Sequence, residues 1–248
     1  MRFITVRLKT LYPLFVFLGI GLCLLSVLWL TVQSSASRLE DAFAASAEAA
    51  VPMTVVIDAG HGGEDCGAVG ANGIYEKDLN LSVATALAEE LRTRGYTVIL
   101  TRTEDRLLYS EEENIRGMRK IYDLRNRCAI ADAHPQALFI SVHMNSFGDA
   151  RYDGLQVYYA PNREDSRMLA DAIQTAVVRD VQTQNRRRIK CGTDLYLLEH
   201  ATPTAVLVEC GFISNGSECE RLCDAAYQKT LAQAIAEGIA AYRAADIP

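Results

Sequence analysis

Basic residues are scarce: 25 Lys and Arg stand against 31 Asp and Glu, for a net charge of −6. Three of those cations, Arg2, Arg7 and Lys9, lie in the first 33 residues, which hold no acid. Without the first 33 residues the balance is therefore 22 basic to 31 acidic, or −9. Such a surface argues against a nucleic-acid binder, whose affinity rests on cations set against phosphate. The basic cluster Arg186-Arg187-Arg188 with Lys190 reads first as a solvated loop, although it could meet an anionic substrate. Neither Gly-x-Gly-x-x-Gly nor Gly-Lys-Ser/Thr occurs, so the main glycine-rich stretch has no phosphate-binding signature. No Cys-x-x-Cys occurs either, which removes a cysteine-based zinc knuckle. Internal repeats and low-complexity tracts are absent, which excludes a solenoid.

A long apolar run is present once. Leu11–Val32 carries no charge and is long enough as a helix to cross a hydrocarbon core about 30 Å thick. With Arg2, Arg7 and Lys9 before it, the short N-terminus is expected to stay cytoplasmic. The expected organisation is a cytoplasmic segment 1–10, a transmembrane signal-anchor 11–32, a stalk 33–51 and a catalytic domain 52–248 outside the membrane. A cleavable leader is the other reading, with Ser34-Ser35-Ala36 as its cleavage site. The run exceeds the usual leader core of about 7–15 residues, which favours an anchor. Six of the seven cysteines follow the span, an even number that would permit disulfides. The domain is nevertheless long and apolar enough to do without a disulfide scaffold, and buried free thiols are the simpler expectation for most of them.

Past residue 52 strands and helices alternate. Met53–Ala59, Tyr96–Thr101, Ala137–Val142, Leu155–Tyr159 and Thr204–Cys210 read as short β-branched or aromatic strands. Helices are expected over Asp78–Arg94, Asn114–Ala133, Ser166–Val181 and Gln228–Ala244. In the first of these, Leu79, Val83, Leu87 and Leu91 recur at helical spacing. The pattern predicts a single α/β domain: a mostly parallel twisted sheet with helices on both faces. Asn215-Gly-Ser-Glu218 reads as a capping box, which accounts for both terminal residues without catalysis.

Ligands of such sheets bind beyond the carboxyl ends of the strands. His61 lies just past one strand, His143 directly follows a second and Glu209 ends a third, while Glu76 stands where a glycine-rich loop enters a helix. A catalytic zinc takes three ligands of the His/His/carboxylate kind and keeps one position for water. His61, Glu76 and His143 supply that set, with one zinc expected, and Glu209 remains free as a base. His134 and His200 read as loop residues, His200 with some prospect of approaching the cleft. A thiol-dependent hydrolase is the enzymatic rival. Strand alternation puts Cys210 on the face opposite Glu209, and Cys66 lies in a loop with no helix N-terminus to activate it.

The motifs IDAGHGG (57–63), EKDLNL (76–81), LTR (100–102), FISVHMNS (139–146) and VLVECGFISN (206–215) together resemble the zinc-dependent N-acetylmuramoyl-L-alanine amidases of the type-3 family. The resemblance covers residues 53 to about 242. It implies zinc on His61, Glu76 and His143, a catalytic Glu209, and hydrolysis of the amide between the muramic acid lactyl group and L-alanine of peptidoglycan. Two positions depart from the family pattern: Ala59 where proline is usual, and Arg188 where glycine is common. An anchor, a short stalk and a bare catalytic domain resemble the membrane-anchored amidases of endospore formers, which act on spore cortex and lead towards muramic-δ-lactam. Some relatives cover the metal with a helix inserted after the strand equivalent to Leu155–Tyr159; here only APNRED follows, so an open site is expected. The alternatives are a zinc carboxypeptidase-like enzyme on the stem peptide and a non-catalytic wall-binding module on the same fold. Expected partners are the peptidoglycan substrate, the membrane, and an extracytoplasmic protein of unknown identity.

Overall fold

The computed structural model describes residues 53–161 and 163–245, with Leu25, Ser26, Trp29, Leu30 and Gln33 of the N-terminal segment. The chain divides into two units, Met1–Val51 and Pro52–Pro248. The expected span 11–32 and stalk 33–51 fall almost wholly outside the described residues. Among those described, no helix is long and apolar enough to cross a membrane.

In the second unit the chain runs β1 (Thr54–Ala59), α1 (Glu76–Thr93), β2 (Thr97–Leu100), α2 (Arg119–Asp132), β3 (Leu138–Asn145) and β4 (Gln156–Tyr159). It continues through α3 (Glu164–Asp180), β5 (Lys190–Cys191), α4 (Tyr196–His200), β6 (Thr204–Phe212), α5 (Gly216–Cys223) and α6 (Ala225–Ala244). The sheet order is β2-β1-β3-β6-β4-β5. β2, β1, β3 and β6 run parallel, β4 is antiparallel to β6, and the two-residue β5 runs parallel to β4. The sheet is thus mostly parallel, as expected, with a reversed edge.

Strand alternation sorts the core into two layers. Val55, Ile57, Ile140, Val142, Val206 and Val208 pack with α1, α3, α5 and α6. Val56, Phe139, Ala205 and Leu207 pack with α2 and α4 on the other face. The apolar positions expected of α1, namely Leu79, Val83, Leu87 and Leu91, are all buried. That helix starts at Glu76 rather than Asp78, so the acid lies within its first turn, where the helix dipole favours negative charge. α2 starts five residues later than expected, at Arg119, because Gly117 takes a left-handed conformation (φ 84°) that an α-helix cannot continue through. No helix intervenes between Tyr159 and Glu164 among the described residues, in keeping with an open site.

α3 and α6 meet at Gly238, where an added Cβ would lie 2.5 Å from Cα of Ile173. Gly238→Ala is therefore expected to cost about 1–3 kcal/mol of overpacking, against up to about 1 kcal/mol gained in helix propensity. A lower urea midpoint checks this; an unchanged or raised midpoint would show that the helices part freely.

Candidate active site

β1, β3 and β6 end side by side. His143 sits directly across the β3–β6 ladder from Glu209, and His61 follows β1 after Gly60. Period two places Asp58, Ser141, His143, Leu207 and Glu209 on one sheet face, so the acids and histidines collect at the carboxyl end of that face.

Glu76 reaches in from the first turn of α1. Its Oε1 lies 2.9 Å from Nδ1 of His143 and 3.3 Å from Nε2 of His61. The carboxylate also accepts from Met144 N (3.1 Å), Ala68 N (2.9 Å) and Asn80 Nδ2 (3.2 Å). Burial alone would raise the pKa of Glu76. The hydrogen bonds and positive charge of His143 and His61 reverse that and hold it far below the carboxylate range. Ligand atoms of His61, Glu76 and His143 all lie within 4.8 Å of one another. Two imidazoles and a carboxylate so spaced could hold a metal ion, and the donor set fits zinc. The glycine loop leaves room for these three side chains. Gly67, at φ 66°, would place a Cβ 2.5 Å from Glu76 Oε2 and 2.8 Å from His61 Cδ2. A Cβ at Gly60 would run into the His143 ring.

Glu209 is of a different kind. Its Oε2 is buried without a hydrogen-bond partner among the described residues. Burial pushes its pKa up to about 7; the nearby charge of Glu76 raises it too, while His143 and His61 pull it down. A carboxylate poised near neutrality suits proton transfer.

A layer of charge beneath the site went unread in the sequence. His61 Nδ1 lies 2.9 Å from Oδ2 of Asp65, which Lys120 also approaches at 3.0 Å. This contact fixes the ring so that Nε2 faces Glu76. His61 itself has φ 60°, a conformation costing on the order of 1–3 kcal/mol outside glycine. Two buried arginines hold that turn. Arg127 donates to Ala59 O (2.7 Å) and His61 O (2.7 Å). Arg102 donates to Ala59 O (2.8 Å), Gly60 O (3.0 Å) and Lys77 O (2.8 Å). Three consecutive carbonyls that no strand satisfies are thus capped by guanidinium groups. The Asp of IDAGHGG and the Arg of LTR were the available signals.

The other candidates lie elsewhere. His134 precedes β3 at the far end of the sheet, and exposed His200 stacks on Tyr196 with ring centroids 4.0 Å apart. Cys210 packs into the core on the face opposite Glu209, and burial pushes its thiol above the ordinary range. Cys66 donates to the Gly67 carbonyl (3.2 Å). The six described cysteines are free. Nothing here assembles a thiol nucleophile with a histidine base. Arg188, at the position where relatives favour glycine, is exposed and does not have positive φ, so the side chain is accommodated without strain.

The family profile of N-acetylmuramoyl-L-alanine amidase (Amidase_3) matches residues 55–241. The chain belongs to this amidase family. A germination-specific N-acetylmuramoyl-L-alanine amidase of Bacillus subtilis is 34% identical over 188 residues, covering 76% of this chain and 78% of the relative. The Bacillus subtilis protein YqiI is 39% identical over 201 residues, 79% of this chain and 89% of its own length. Among solved structures, the CwlD amidase of Clostridioides difficile, in complex with the GerS lipoprotein, superposes with a TM-score of 0.75 at 39% identity, covering 78% of this chain and all of that one. The amidase is accordingly an amide hydrolase acting on peptidoglycan, and the wall-binding module without catalysis is set aside. Its catalytic unit is the α/β domain described above.

Proposed function

We propose that this amidase uses one zinc ion, held by His61, Glu76 and His143, to hydrolyse the bond between the muramic acid lactyl group and L-alanine, and that it does so in spore cortex. The observation that carries the zinc reading is the convergence of those three side chains, within 4.8 Å of one another, beside the sealed carboxyl of Glu209. Zinc bound there would supply Lewis-acid polarisation of the scissile carbonyl and a more acidic attacking water. Glu209 takes the proton of that water and returns it to the leaving L-alanine nitrogen. Asp65 and Arg127 keep His61 oriented throughout. The cortex assignment rests on likeness to the germination-specific amidase, and cleavage there leaves the lactyl group free to go on to muramic-δ-lactam. The uncharged run Leu11–Val32 behind Arg2, Arg7 and Lys9 supports an anchor that would place residues 52–248 outside the membrane. The lipoprotein bound by the related clostridial amidase supports an extracytoplasmic partner here.

Mass spectrometry of cortex peptidoglycan digested with the full-length enzyme tests this reading. Intact glycan and free stem peptides beginning with L-alanine are expected; release of a terminal D-amino acid instead would favour the carboxypeptidase alternative. Strong chelation is expected to abolish cleavage while thiol alkylation leaves it intact. His61→Ala, Glu76→Ala and His143→Ala are each expected to lose zinc, measured per mole of protein, together with activity. Full zinc in any of the three would remove that residue from the ligand set.

A further inference from the structure

β6 carries an irregularity beside the catalytic carboxyl. His143 pairs with Glu209, but Asn145 pairs with Phe212, so one extra residue is accommodated on β6. Such a bulge re-aims the following side chain; here it returns Phe212 to the face that carries Glu209. Glu218 locks it, accepting from Phe212 N (2.8 Å) and from Gly154 N (3.0 Å), instead of reaching back to Asn215 to complete the expected capping box. The other half of that box is made, Asn215 Oδ1 accepting from Glu218 N at 3.0 Å.

Arg187 rests on this platform. Its guanidinium carbon is 4.3 Å from the Phe212 ring centroid and 5.6 Å from that of Tyr152. Phe147 closes edge-on over Tyr152 at 4.9 Å, and these two rings are exposed, 57% and 46%. Nε donates to Asp153 O (2.7 Å) and Nη1 to Gln156 Oε1 (3.0 Å). Gln156 stands directly opposite Glu209 in the β4–β6 ladder. A guanidinium has five N–H donors, so most of its fork, including all of Nη2, has no hydrogen-bond partner among the described residues. No carboxylate among the described residues pairs with it. Loop packing explains two of its hydrogen bonds but not a half-buried cation left without a carboxylate partner, joined through Gln156 to the strand position opposite the base.

We propose that Arg187 binds the free α-carboxylate of the γ-linked D-glutamate that follows L-alanine in the stem peptide, making it a specificity-determining residue. The inference rests on the amidase reading above. Across the sheet the order is His61, His143, Glu209, Gln156, then Arg187. Glu209 returns its proton to the leaving nitrogen, so the peptide lies on the Gln156 side of the scissile bond. Opposed Cα atoms in an antiparallel ladder are about 5 Å apart, and Arg187 is one hydrogen bond further. Two extended residues reach at most about 7 Å, which brings the second residue's carboxylate to the fork. Aromatic stacking holds the guanidinium flat for bidentate recognition. In a domain of net charge −7 (21 basic against 28 acidic residues over 52–248), a local cation is also what lets an acidic peptide enter.

The test compares two soluble glycan-peptide substrates that differ only at this group, carboxylate or carboxamide, with full-length enzyme. Wild type is expected to favour the carboxylate by about tenfold or more in kcat/KM, carried by KM and weakened by salt. Arg187→Gln is expected to bring the ratio towards one through a higher KM for the carboxylate substrate, and Arg187→Lys to keep part of the preference. Equal kcat/KM for wild type on both substrates would overturn the assignment whatever the variants do. A parallel loss on both substrates in Arg187→Gln would overturn it too, leaving Arg187 a packing residue. Wild type that releases no stem peptide from either would instead sink the amidase reading on which it rests.

Discussion

Glu209→Gln is expected to lower kcat by about 10²–10⁴-fold, the usual span of a general acid–base contribution, while zinc content and fold are retained. Glutamine keeps the size and hydrogen-bonding capacity of the side chain but cannot take a proton from water. The two glutamates of the site are separated by their surroundings. Glu76 is saturated by three donors and two imidazoles, which fix it as an anion. Glu209 has a buried oxygen with no partner and a pKa near neutrality. Zinc per protein measured beside the hydrolysis rate checks the assignment. Loss of zinc in Glu209→Gln, or a near-normal rate, would mean that the roles of the two are exchanged.

The same substitution carries a second signature in the metal-free protein. The folded-state pKa of Glu209 is raised from 4.5 to about 7, so the folded chain holds that proton longer than the unfolded one. The resulting destabilisation is absent below about pH 4.5, grows as pH rises, and is complete above about pH 7. Glutamine escapes it. The stability of Glu209→Gln relative to wild type is therefore expected to increase across that window, by on the order of 3 kcal/mol at saturation. Urea midpoints of both proteins across the window give the difference directly. An advantage that shrank as pH rose would contradict the sealed environment of this carboxyl.

Much of this site was legible because its residues sit at strand ends. Each of β1, β3 and β6 is announced by a β-branched run, and the chemistry follows directly on its last residues. The sequence was less informative where structure depends on distant partners. LQVYY marks a strand but carries no sign of direction, which the β6 ladder decides. Lys190–Cys191 is too short to leave a pattern. The bulge at Cys210-Gly211 shows only once the register with β3 is known. Asp58 bonds Ser141, 83 residues away, and Arg127, 69 residues away; no local spacing announces such a pairing. Arg127 stands on the helix expected over Asn114–Ala133, and an arginine there is ordinarily a solvated residue.

Arg127→Met is the substitution expected to damage the fold most. The side chain is 1% exposed, and Asp58 and Asp123 beside it are 0% and 3% exposed. Nη1 meets Asp58 Oδ1 at 2.6 Å and Nε meets Asp123 Oδ2 at 2.8 Å. Burial opposes the charged form of Asp58, yet Arg127, with help from Ser141, holds its pKa below the usual value. Methionine fills similar space, but leaves two buried carboxylates and the carbonyls of Ala59 and His61 short of donors. Removing one member of a buried pair costs about 3–5 kcal/mol, a large share of the roughly 5–15 kcal/mol by which domains are stable. A fall in unfolding free energy of that size, read from the urea midpoint and slope, is the expected result. Arg127→Lys separates charge from geometry. A single ammonium can face Asp58, but it cannot also span Asp123 and the two carbonyls. It is expected to recover part of the stability while zinc affinity, read by competition with a chromophoric chelator, stays weakened because His61 O has lost its tether. Wild-type zinc affinity in a folded Arg127→Lys protein would show that the turn bearing His61 holds its left-handed conformation without the arginine.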